Sequence, residues 1–227
     1  MSTVFCPQMF LRKQVQIPRK VIKDLKEVST LSCKSKWEYA GNVKTFRMTT
    51  GEPLLFGKPT CVTSRDRSSV DLDTVLNVWP SLVSYHTHPC VTRPNPIDDE
   101  NTTIFVTLPS QRDFEAYIKG YPKMQVNFIC DTHGYYVIDL ISAAERGCLP
   151  FPRVVNILMH DFRTRKDLRD MCFSEEGLEY FETNMNTWKN IINLELNAVL
   201  NKMFGITIRY YGYDDPPPIV SLDLDSI

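Results

Sequence analysis

Apolar positions along this chain recur with two different periods, and the changes between them mark its elements. After Pro18, the run RKVIKDLKEVSTL sets Val21, Ile22, Leu25 and Val28 at helical spacing, so the sequence predicts a helix of about three turns with a proline in its first turn. WEYAGNVKTFRM alternates and carries β-formers, and a turn at Thr49–Pro53 separates it from a second strand at LLFG. DLDTVLNVW, residues 71–79, returns to helical spacing behind Asp71 and ends at Pro80. SLVSYH then reads as a buried strand running into His86-Thr87-His88-Pro89. The proline-rich stretch 90–109 reads as a loop with one extended piece at IFVTL. SQRDFEAYI opens a helix at Ser110 in a capping-box pattern, with Asp113 three residues on. MQVNFICDTHGYYVIDL is a hairpin around Asp131–Gly134.

The remaining third is patterned differently. Leu178, Phe181, Met185, Trp188, Ile192, Leu196, Val199 and Met203 step by three or four, which predicts one long helix over 174–204, capped by Ser174 and ended by Gly205. ITIRYYGY reads as a strand, and DDPPPIVSLDLDSI as a mobile acidic tail. The expected organisation is a core domain at 15–145, a helical C-terminal extension packed on it at 146–213, and an acidic, proline-rich tail at 214–227. The class is mixed α/β, with α+β character.

Composition narrows the field. The chain has 227 residues, 43% of them hydrophobic and 23% charged, which excludes a disordered chain. Its 26 Lys and Arg against 27 Asp and Glu give a net charge of -1, so no basic field draws it to nucleic acid or anionic lipid. No run approaches the 18 or more apolar residues of a membrane span, and the N-terminus lacks a continuous apolar signal core. An intracellular protein, cytoplasmic or nuclear, is expected. Its seven scattered cysteines read as free thiols rather than a disulfide framework.

The chemistry concentrates at three blocks. His86 and His88 are two apart at the end of a strand, so both imidazoles lie on one side. Alone, such a pair reads equally well as a turn with two solvent-facing histidines. A catalytic zinc takes three protein ligands and keeps a fourth position open, and Asp113 offers the third from the start of the next helix. Ser110 adds a hydroxyl able to donate to an oxyanion, and Glu38 adds a base. His133 and His160 are isolated and read as a hairpin-tip and a helix-surface histidine, and Cys90 as loop packing.

Glu38-Tyr39-Ala40-Gly41, His86-Thr87-His88-Pro89 and Ser110-Gln111-Arg112-Asp113 together resemble the E-x-x-G, H-x-H-P and S-x-x-D signature of the JAMM/MPN (JAB) zinc metalloprotease family, over about residues 15 to 145. The resemblance implies a cytidine-deaminase-like mixed sheet flanked by helices, with His86, His88 and Asp113 on Zn²⁺ and Glu38 and Ser110 catalytic. It also implies a deubiquitinase-like isopeptidase acting on ubiquitin or ubiquitin-like conjugates of lysine. The proline-rich insertion and C-terminal extension also look like divergent members from large DNA viruses. Asp113 lies 25 positions after His88, whereas the family spacing would put the ligand near Asp99 or its neighbour Asp98, so these are rivals. Glu52 is a rival base. A non-catalytic MPN scaffold and a hydrolase of small conjugates remain alternatives, and the long helix favours a protein partner or a homodimer.

Overall fold

The computed structural model describes residues 12–46, 54–66, 81–91 and 103–223. Its elements in chain order are β1 (Arg12–Gln16), α1 (Arg19–Ser35), β2 (Ala40–Phe46), β3 (Leu55–Pro59), β4 (Val83–Thr87), β5 (Thr103–Val106), α2 (Gln111–Gly120), β6 (Val126–Cys130), β7 (Gly134–Asp139), α3 (Ile141–Glu145), α4 (Pro152–Arg163), α5 (Lys166–Met171), β8 (Cys172–Glu175), β9 (Leu178–Asn184), α6 (residues 185–204), β10 (Thr207–Gly212) and β11 (Ile219–Asp223). The arrangement is mixed α/β. A six-stranded sheet runs β10-β7-β6-β4-β2-β3, parallel only between β4 and β6.

Its central strands are apolar on both faces, which requires cover on both sides. Alternation along β6 sends Val126, Phe128 and Cys130 into one core with Ile22 and Leu25 of α1. Ile129 goes to the other, with Trp188 and Ile192 of α6 and Phe114 of α2. β4 follows the same rule: Val83 and Tyr85 face α1, so His86 faces α2.

Three expectations are corrected. The helix foreseen over 174–204 begins only at residue 185; before it stands a hairpin, β8–β9. Glu176 and Gly177 take φ of 50° and 82°, the left-handed pair that a two-residue turn needs. Across that turn Phe173 pairs with Tyr180, their rings stacked at 5.7 Å. The tail expected to be mobile from residue 214 returns instead as β11. It pairs with β1 (Val15 opposite Val220), buries Leu222 and exchanges two bonds with the Gln125 side chain at 2.9 and 2.7 Å. Cys33 and Cys90, expected as free thiols, form a disulfide with Cα atoms 5.1 Å apart. The helix foreseen at 71–79 lies outside the described residues.

α6 runs α-helical over Met185–Asn190, π-helical over Ile191–Leu196 and α-helical again over Asn197–Phe204. It covers the β10 edge of the sheet with three asparagines four residues apart. Asn193 Oδ1 accepts the Tyr210 N–H (2.6 Å) and its amide donates to Tyr210 O (3.1 Å). Asn197 Oδ1 accepts the Ile208 N–H (3.0 Å), and Asn201 bonds the Thr207 hydroxyl (3.2 Å). These side chains take the place of a neighbouring strand.

Candidate metal centre

Three strands fix His86. It sits opposite Ala40 of β2 on one side and Ile129 of β6 on the other. Just past β4, the His88 N–H donates to Cys130 O (2.8 Å) and keeps the chain in line. Thr87, between the two histidines, is fully buried; its Oγ1 accepts the Tyr39 N–H (3.0 Å) and its N–H donates to Tyr39 O (2.8 Å). These bonds bring the neighbouring Glu38 to the histidines. Gly41 completes the E-x-x-G block because a Cβ there would collide with the Thr60 carbonyl oxygen.

Asp113 is set by the helix it begins. Ser110 Oγ accepts the Asp113 N–H (3.2 Å) while Asp113 Oδ2 accepts the Ser110 N–H (2.6 Å), the reciprocal box foreseen from the sequence. Oδ1 faces His86, and Oδ2 lies on the side of His88.

His86 Nε2 lies 3.1 Å from His88 Nε2 and 3.3 Å from Asp113 Oδ1, and His88 Nε2 lies 3.9 Å from Asp113 Oδ2. Ligands held at about 2.05 Å on a tetrahedral zinc stand about 3.3 Å from one another. His86 Nε2 stands close to that spacing from His88 Nε2 and from Asp113 Oδ1, and a closing at His88 would bring the three residues onto one small cation. Among the described residues they form the group able to hold a metal ion.

Each imidazole is also held from behind. His86 Nδ1 is 3.0 Å from the Tyr117 hydroxyl, and His88 Nδ1 bonds Thr107 Oγ1. With both Nδ1 atoms engaged, both Nε2 atoms are turned to the centre. Thr107 is secured in turn: Tyr136 O–H donates to its carbonyl (2.6 Å), and Trp188 Nε1–H donates to the Tyr136 oxygen (2.8 Å).

Burial sets the charges. It lowers the pKa of His86, and that of His88 to about 4, where His86 and Arg163 act in the same sense and Asp113 opposes them. Both rings are thus neutral near pH 7, the form that ligates a metal. Burial pushes the Glu38 carboxyl up to about 9, helped by the carboxylates of Asp113 and Asp66. A cation at the three donors would oppose that shift.

These groups open into a cleft of about 450 Å³. Glu38, His86, His88 and Asp113 lie in it with Ser110. Opposite stand Arg163 of α4 and Gly177, Leu178 and Glu179 of the β8–β9 hairpin. Tyr180 O–H also donates to Pro89 O (3.1 Å), tying the hairpin to the H-x-H-P block. The sequence reading missed this wall. Its signal was the Glu176-Gly177 dipeptide between two β-rich runs.

The rivals Asp98, Asp99 and Glu52 lie outside the described residues. His133 stands apart from the metal group, with Nε2 accepting the Phe105 N–H at 3.4 Å, and burial lowers its pKa to about 4. It sits partly buried in the β6–β7 turn, at the hairpin tip expected from the sequence. His160 is exposed on α4, and Cys90 is bonded to Cys33. No helix among the described residues is long and apolar enough to cross a membrane. No protein-family model matches the chain, and neither does any curated protein or solved structure.

Proposed function

We propose that this protein is a JAMM-like, zinc-dependent isopeptidase that hydrolyses the amide joining ubiquitin or a ubiquitin-like protein to lysine. One observation carries the reading: two neutral imidazoles and a helix-capping carboxylate converge on one point, in a cleft that also holds a buried carboxyl and a hydroxyl. The mixed sheet with helices on both faces is compatible with the MPN architecture that the motifs imply. When bound, zinc supplies a Lewis acid and an acidified water in its open position.

The chain's own groups do the rest. Glu38 takes the proton of the attacking water and returns it to the departing lysine amine. The lone pairs of Ser110 Oγ accept the Asp113 N–H, so its own hydrogen is left to donate to the developing oxyanion. The hairpin wall limits bulk water. No cysteine is needed as a nucleophile.

The test is incubation of the purified protein with linked ubiquitin dimers and a fluorogenic ubiquitin amide, with and without a zinc chelator. Cleavage is expected to be chelator-sensitive and indifferent to thiol alkylation. Glu38→Gln should lose roughly 10²–10⁴-fold in rate with zinc retained, and Ser110→Ala roughly a hundredfold. Zinc retained by Asp113→Ala but lost from Asp98→Ala or Asp99→Ala would move the third ligand. A zinc-loaded protein inert on every linkage would pass the reading to a scaffold or to a hydrolase of small conjugates.

A further inference from the structure

The cleft holds two guanidinium groups that hydrolysis itself does not require. Arg112 follows the capping residue by two positions, is exposed, and makes no hydrogen bond or ion pair among the described residues. Arg163 reaches the same cleft from α4. It donates to Glu179 Oε2 at 2.8 Å and to Pro109 O at 3.3 Å, and its charge is felt at His88. Among the described residues these two bonds are its hydrogen bonds, out of five N–H donors.

The Arg163–Glu179 pair is informative about what the cleft accepts. A carboxylate from the hairpin already rests on that guanidinium at the rim. Arg112 adds a second cation in the same cleft, with no carboxylate partner among the described residues. Guanidinium groups bind carboxylates through paired, directional hydrogen bonds, and more strongly where water is partly excluded. Pro89, Leu108 and Leu178 add apolar surface to the lining, which suits the body of a small acyl or aminoacyl group.

We propose that Arg112 and Arg163 form a carboxylate subsite, so that the preferred substrate carries an acidic group beside the amide to be cut. The assignment deepens the hydrolase reading and names its substrate class. The carboxylate belongs either to an Asp or Glu flanking the modified lysine or to a small acyl-amino acid; the chemistry read by the arginines is the same.

Binding tests it without turnover. N-acetyl-L-glutamate and N-acetyl-L-glutamine have nearly the same size and share an α-carboxylate, and differ by one side-chain charge. Titrated calorimetrically into the full chain, first zinc-loaded and then chelator-treated, the glutamate probe should bind at least about tenfold tighter in both states. Arg112→Gln should bring that ratio below about threefold with zinc content unchanged, and Arg163→Lys should reduce it. Equal binding of the two probes by the wild type, or an unchanged ratio in both variants, overturns the subsite.

Two lysine-acylated octapeptides, flanked by Glu or by Gln, then separate the sources. A preference shown by the peptides as well as by the amino acids assigns the carboxylate to a polypeptide, and one confined to the amino acids assigns it to a small conjugate. Failure of amide cleavage with the probe ratio intact would overturn the hydrolase reading and leave the subsite standing.

Discussion

Thr107 and Tyr117 act on the metal donors without touching a metal. Each places a hydroxyl against an imidazole Nδ1, which fixes both the ring's direction and the tautomer that frees Nε2. Thr107→Val keeps the shape and removes the oxygen, and Tyr117→Phe does the same. Each is expected to weaken zinc binding by roughly 10–100-fold, read by competition with a chromophoric chelator. An affinity within twofold of wild type in both variants would show that packing alone aims the rings. At this scale the donors themselves were legible, because His86 and His88 are two apart on a strand and Asp113 sits in a local capping box. Their supporters were not. Thr107 and Tyr117 reach their histidines across 19 and 31 residues of sequence, and no local pattern marks either.

Among the elements, α6 does two things at once: its apolar residues close one core, and its asparagines close the sheet. Asn193→Ala would leave both the N–H and the C=O of Tyr210 without their partner at a partly buried edge. A loss of about 2–3 kcal/mol in unfolding free energy is expected by urea titration. A loss under about 0.5 kcal/mol would mean that water replaces the amide. The strands and helices around the centre were readable because their signals are short-range: a run of β-formers before His86, two β-rich runs about the Asp131–Gly134 turn, a cap at Ser110. The β8–β9 hairpin was not, since Leu178, Phe181 and Met185 step by three and four and so carry on the helical period of the residues that follow. What decides is the left-handed pair at Glu176 and Gly177. β11 escaped for a different reason: its partner β1 is some two hundred residues away, and an acidic, proline-rich composition masks the alternation of Val220 and Leu222.

At the scale of the whole molecule, Asp131 joins parts that are distant in sequence. Its carboxylate accepts the His133 and Gly134 N–H groups at 2.8 Å and the Tyr210 hydroxyl at 3.0 Å, and its carbonyl accepts Ser29 of α1 and Tyr213. Burial raises its pKa to about 7 against the pull of those bonds. A carboxyl whose folded pKa lies above its unfolded one contributes stability below about pH 4 and loses it as the pH rises through 7. Asp131→Asn should therefore gain on the wild type between pH 4 and pH 8, by on the order of 3 kcal/mol, measured by urea titration with chelator present. A difference independent of pH would show that the carboxylate is as comfortable charged as neutral.

The asparagine cover on β10 has a consequence for assembly. The six-stranded sheet has two ends, and only one has exposed strand edge: among the described residues β3 pairs with β2 alone, with Leu55 and the adjacent Phe46 half exposed. Copies joining edge to edge through β3 would use up their one free end in doing so. Such a union stops at two, because a sheet that can be extended at a single end can make a closed couple but has no second end from which a fibre could grow.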